Sequence, residues 1–145
     1  MHKLEIYLQT DSRLLRESDK GFACLVVRPD GSKWKAAGYG MATWHQAELA
    51  ALRGALSKLD DNYEIHVYSE DPYVMGNLSN GNMEKWRENG FRKKDGKEIT
   101  CAYLWREICQ KTLYQKVVTH TGEHIHAEFL LRVIKKMREK QQEIQ

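Results

Sequence analysis

A helix-period repeat lies between two stretches of strand-like alternation, and that order constrains the fold more than any other feature of the sequence. Leu49, Leu52, Leu56 and Leu59 recur at spacings of three and four, the period of one helix face. Upstream, Leu4, Ile6 and Leu8 alternate with Lys3, Glu5 and Tyr7, a period of two; downstream, Ile65 and Val67 begin a second run that reaches Ser69. Parallel neighbours need a crossover of a dozen or more residues, and a helix between two strands supplies it.

The remaining elements follow from local signals. Gly21-Phe22-Ala23-Cys24-Leu25-Val26-Val27 is apolar on both faces, and Arg28-Pro29-Asp30-Gly31-Ser32 turns it into a partner from Lys33 to Tyr39. Thr43 is placed to N-cap the helix that closes before Asp60-Asp61-Asn62, and Pro72 suits the first position of another. Short helical pieces are expected over 73–78 and 83–88. A basic loop over 89–97 follows, then a helix restarting at Thr100 with Leu104, Trp105 and Ile108. A fifth strand is expected from Tyr114 to Thr119, then a loop from His120 to His126. A last helix carries Phe129, Leu130, Val133, Ile134 and Met137 on one stripe. This is an α/β chain: three antiparallel strands with parallel additions, a five-stranded mixed sheet flanked by helices. One domain over 1–145 is expected, with a basic protrusion near 84–97 and a polar helical tail near 138–145 that projects into solvent.

Composition narrows the function classes. At 145 residues, 41% hydrophobic and 30% charged with only 2 Pro, the chain is globular rather than disordered or fibrous. No apolar run approaches the roughly 20 residues of a membrane helix, and Met1-His2-Lys3-Leu4-Glu5 does not open like a signal peptide. No membrane partner is expected, and a cytoplasmic monomer is. Cys24, Cys101 and Cys109 are odd in number and lack zinc-site spacing, so they read as packed thiols. Net charge is only +3, so an argument for a nucleic-acid partner rests on where charge is concentrated. Residues 84–97 hold six Lys or Arg against three acids, together with Trp86 and Phe91, a composition suited to a phosphate backbone.

Three acids stand where they can converge: Asp11 after the first strand, Glu48 early on the first helix and Glu70 after the fourth strand. Clustered carboxylates raise one another's pKa, and a divalent cation such as Mg²⁺ or Mn²⁺ relieves the repulsion. The same residue types at strand ends and helix starts also serve as caps and turn formers, so the positions alone leave both readings open. His120, His124 and His126 with Glu123 offer an alternative transition-metal set, although Gly122 disfavours the helix that would align them.

Four segments in order, Thr10-Asp11-Ser12, Gln46-Ala47-Glu48-Leu49, Ser69-Glu70-Asp71-Pro72-Tyr73-Val74 and Thr119-His120-Thr121-Gly122, resemble the motifs of ribonuclease H. Trp86-Arg87-Glu88-Asn89-Gly90-Phe91-Arg92 is similar to the family's basic protrusion, and the likeness runs from about residue 4 to residue 137. The resemblance implies an endonuclease that cuts the RNA strand of an RNA-DNA hybrid with two metal ions, Mg²⁺ or Mn²⁺. Asp11, Glu48 and Glu70 would hold the metals, with Asp71 a neighbouring substitute for Glu70. Glu128 would complete the site, Glu123 being the second candidate. His120 would assist proton transfer or product release. Gln46, Trp86, Arg87, Arg92, Lys93 and Lys94 would contact the hybrid. Glu70 stands where the family has an aspartate, and Asp11 lacks the glycine that usually follows it. Those departures motivate a competing expectation, a ribonuclease H-like module that binds nucleic acid with weak or no catalysis. A third is a scaffold that meets a protein partner through its basic tail.

Overall fold

Ten elements follow one another in the computed structural model, which describes residues 2–144 and the side chains of residues 2–142. They are β1 (Lys3–Thr10), β2 (Ser18–Val27), β3 (Lys33–Ala42), α1 (Trp44–Leu56), β4 (Glu64–Ser69), α2 (Pro72–Ser79), α3 (Asn82–Asn89), α4 (Ala102–Thr112), β5 (Lys116–Thr121) and α5 (Ala127–Ile144). The sheet order is β3-β2-β1-β4-β5. β1, β2 and β3 are antiparallel; β4 runs parallel to β1, and β5 to β4.

Local chemistry explains the clean starts. Thr43 and Gln46 close a capping box on α1: the Thr43 hydroxyl accepts from Gln46 N, and the Gln46 side chain accepts from Thr43 N at 2.8 Å. Asp71 caps α2, accepting from Tyr73 N and Val74 N, with Pro72 at the first helical position. α1 ends at Leu56 with Ser57 as its cap, so Leu59 lies past the helix. The fifth strand is displaced from the expected 114–119 to Lys116–Thr121, because Gln115 caps back onto Thr112 and leaves Tyr114 85% exposed. His120 is therefore a strand residue and not a loop residue.

Both faces of β1 are buried, each against a different helix. Leu4, Ile6 and Leu8 pack with Leu49, Leu52 and Leu56 of α1, Ile65 and Val67 of β4, and Trp105 of α4. Tyr7 packs on the opposite face with Ala23, Leu25, and Leu130 and Ile134 of α5. Phe129, near the start of α5, lies under Lys35 of β3, whereas Arg138 bonds Asp11 and Asp19. Since Lys35 pairs with Leu25 and Asp19 with Met41, α5 travels along the β2–β3 hairpin and reaches the end of β1 at Arg138. The tail expected to project from residue 138 is helical through Ile144 and its Arg138 is docked; Gln145 lies outside the described residues.

Gly21 permits that docking. A Cβ there would stand 2.4 Å from Ile134 Cγ2, 2.9 Å from Asp11 Oδ2 and 3.2 Å from Arg138 Nε. Gly21→Ala is expected to cost about 1–3 kcal/mol through overpacking, read as a lower urea midpoint at unchanged m-value. An unchanged midpoint would mean that α5 does not sit on β2.

Candidate active site

β1 and β4 are parallel and in register, Tyr7 beside Tyr68, so both release their chains at one edge of the sheet. Asp11 leaves β1 there. Its Oδ1 accepts from Gly21 N at 2.8 Å and its Oδ2 from Arg138 Nε at 2.9 Å. Glu70 leaves β4 beside it and accepts from Gln9 Nε2 at 2.9 Å and from Arg13. Arg13 lies on the 11–17 loop, which the wholly buried Lys20 anchors: its Nζ donates to Arg16 O, Ser18 Oγ and Ala42 O at 2.7–2.9 Å.

Glu48 comes up from α1, 2% exposed. Burial first, and the nearby Asp71 carboxylate second, push its carboxyl up to about 8. Ser69, Trp44 and Arg13 flank it and oppose that rise, yet neither Glu48 Oε2 nor Trp44 Nε1 has a hydrogen-bond partner among the described residues. A buried carboxylate oxygen without a donor is a place short of positive charge. Asp71 is not the spare ligand for Glu70: one oxygen caps α2 and the other meets His45 Nδ1 at 2.7 Å, with no solvent exposure. The His45 ring lies against Trp44 and Tyr73 at the rim of the site. His45 was not singled out in the sequence; the cap signature of Asp71-Pro72 fixed only one of the aspartate's two partners.

The fourth carboxylate is a correction. Glu128 lies on the first turn of α5, ten residues from Arg138, which at 1.5 Å per residue is roughly 15 Å along the axis from the group that touches Asp11. The cause is the direction of α5, whose start lies toward Lys35 rather than toward Asp11. Glu123 lies exposed in the loop after β5, beside Tyr7 and Tyr68.

His120 lies on β5, paired with Tyr68 of β4. Its ring stacks on Tyr68 at 4.3 Å, and Nε2 lies 2.8 Å from Nδ1 of His66, whose own Nε2 meets Glu64 at 2.7 Å. These partners hold its ring on the sheet face, leaning back toward His66 although His120 itself pairs with Tyr68 near the end of β4. Burial, then the neighbouring His66, lowers its pKa. His124 is likewise committed: Nδ1 accepts from His126 N and Nε2 meets Leu8 O at 2.8 Å. His126 packs edge-on against Tyr7. The imidazole metal set is therefore not assembled. Among the described residues no three His, Cys, Asp or Glu are already gathered as a metal cage.

The protrusion separates packing from charge. Trp86 lies against Trp105 at 5.1 Å and Phe91, so it anchors the segment rather than offering an open stacking face. Arg87, Arg92, Lys93 and Lys94 are exposed, although Arg92 donates to Gly96 O within its own loop. Gln46 lies near Glu48, with its carbonyl oxygen engaged in the capping box.

A mixed sheet of this order, with acids at the adjacent ends of β1 and β4 and a third buried on α1, defines a ribonuclease H-like scaffold. The family model for RNase H matches residues 2–129, and the chain belongs to that family. Among curated relatives it is 27% identical over 108 residues to a ribonuclease HI of Synechocystis sp., covering 70% of this chain and 68% of that one. It is 25% identical over 116 residues to a ribonuclease H of Chlorobaculum parvum, covering 79% and 80%. Among solved structures, LC9-RNase H1, a type 1 RNase H with the type 2 active-site motif, superposes with a TM-score of 0.69 at 16% identity over 94% of this chain and 72% of that one. A foamy viral protease-reverse transcriptase solved with an RNA/DNA hybrid gives 0.67 at 19% identity, over 91% of this chain and 19% of that one. At these identities the structural likenesses establish the fold. The family match ends at the start of α5, so Arg138 lies beyond it.

Proposed function

We propose that the chain is a divalent-metal-dependent endonuclease that hydrolyses the RNA strand of RNA-DNA hybrids. The observation that carries this reading is the release of Asp11 and Glu70 from the ends of adjacent parallel strands, with Arg13 bonding Glu70 and lying near a buried Glu48 whose Oε2 has no partner among the described residues. Hard carboxylate oxygens suit Mg²⁺ or Mn²⁺, and the orphaned oxygen fits a cation there. Such ions supply Lewis-acid charge at a transferring phosphate and activate water. Asp11, Glu48 and Glu70 would hold the metal. With Glu128 remote, three carboxylates suit one ion better than the two expected from the family pattern. Gly21 N fixes the orientation of Asp11, and Gln9 that of Glu70. Lys93 and Lys94, with Arg87, would meet the hybrid backbone through contacts that weaken with salt.

The relatives named ribonuclease H and the hybrid-bound viral neighbour support this substrate class. A second reading, a hybrid-binding module with little turnover, is favoured by the guanidinium partners of Asp11 and Glu70 and by the missing fourth acid. Incubating end-labelled hybrid with the chain and Mg²⁺ or Mn²⁺ separates the two. Cuts confined to the RNA strand, with duplex DNA intact, are expected. Salt-sensitive binding without cuts in either metal would leave the binding module.

A further inference from the structure

Arg138 enters the site from α5, beside Asp11. Nε donates to Asp11 Oδ2 at 2.9 Å, Nη1 donates to Asp19 Oδ2 at 3.0 Å, and the guanidinium lies over the Tyr39 ring. This contact is built into the fold. Gly21 leaves no room for a side chain between β2 and α5, and the same residue's N–H holds the other oxygen of Asp11. A guanidinium has five N–H donors, and two are used here, so three remain on a side chain that is 29% exposed. A planar fork held by two carboxylates and a ring loses little freedom when it meets a further oxyanion.

We propose that Arg138 is a phosphate-binding residue of the cleavage site, holding the phosphodiester of the substrate strand against Asp11 through the donors that Asp11 and Asp19 leave free. The proposal rests on the nuclease reading above. It makes the end of α5 part of the active site rather than a solvated tail. It also places a fixed protein cation beside Asp11.

The test uses the full chain and three variants, Arg138→Ala, Arg138→Lys and Asp19→Asn. Hybrid binding is measured by anisotropy in EDTA across a salt series, and strand cleavage separately in Mg²⁺. Loss of one phosphate contact predicts that the slope of log affinity against log salt falls by about 0.9 in Arg138→Ala. Cleavage by that variant should fall at least tenfold. Arg138→Lys should keep the slope and still lose cleavage severalfold, because an ammonium cannot reproduce the fork. Asp19→Asn, which loosens one side of the fork and leaves the guanidinium charge in place, should keep the slope and lower cleavage less than Arg138→Ala does. Urea midpoints distinguish unfolding from lost contact. An Arg138→Ala chain that is folded, with unchanged salt slope and cleavage, would overturn the proposal and make Arg138 a clamp between α5 and β2. A wild-type chain that neither binds nor cuts hybrid would instead overturn the nuclease reading, and this proposal with it.

Discussion

Asp11→Asn is expected to abolish hybrid cleavage while leaving the chain folded and able to bind. The substitution is nearly isosteric, and Asn Oδ1 can still accept from Gly21 N, so the end of β1 keeps its anchor. The lost partner is Arg138, which retains Asp19. The Asp11–Arg138 pair is more than a quarter exposed on each side, and pairs of that kind are worth up to about 1 kcal/mol. The chemical loss is larger. Removing a full negative charge from the acid that would hold the metal should lower the rate by on the order of 10³-fold or more, about 4 kcal/mol of barrier. Glu128→Gln is the matched control: with Glu128 roughly 15 Å along α5 from the Asp11 contact, its rate should stay close to wild type. Wild-type cleavage by Asp11→Asn would remove Asp11 from the site. Loss of cleavage in Glu128→Gln would mean that α5 moves when substrate arrives and brings Glu128 to the site.

What the sequence disclosed and what it concealed follow from the range of the signals. Thr43 as a cap, Pro72 at a helix start and the turn at 28–32 are local, each decided by neighbours within four residues, and all stand in the structure. The three acids were legible for the same reason, since each marks the end of a strand or the first turns of a helix. The course of α5 is not local. Its apolar stripe at Leu130 and Ile134 reports which face is buried but not which way the helix travels across the sheet, and reversing the direction leaves the pattern intact. Glu128 and Arg138 exchange ends under that reversal, so one acid leaves the site and a guanidinium enters it. The displacement of β5 by two residues is a smaller error with a large consequence. Tyr114 has the strand-forming character that Lys116 lacks, yet the chain gives Gln115 to the end of α4, and His120 is carried onto the sheet face beside Tyr68. The pairing of His45 with Asp71 joins residues 26 apart and carries no sequence signal at all.

Glu48 makes the stability of the chain depend on pH in the direction opposite to most carboxylates. Burial raises its folded-state pKa from an ordinary 4.5 to about 8. Between those values the folded chain retains a proton that the unfolded chain has released. Stability from this group is therefore complete below about pH 4.5 and declines as pH rises toward 8. At about 1.4 kcal/mol per unit of separation, the window is worth on the order of a few kcal/mol. Glu48→Gln has no proton to lose, so its urea midpoint should lack this decline, whatever constant penalty the buried amide carries. The comparison is one of slopes between pH 5 and pH 8, made in EDTA. Adding Mn²⁺ should then stabilise the wild-type chain more at pH 8 than at pH 6, because a carboxylate must shed its proton before it can hold a cation, and should stabilise Glu48→Gln far less at either pH. Parallel pH slopes for the two chains would show that Glu48 ionises freely in the fold. The buried carboxylate would then have found a donor for Oε2, and the strongest argument for a cation between Asp11 and Glu70 would be lost.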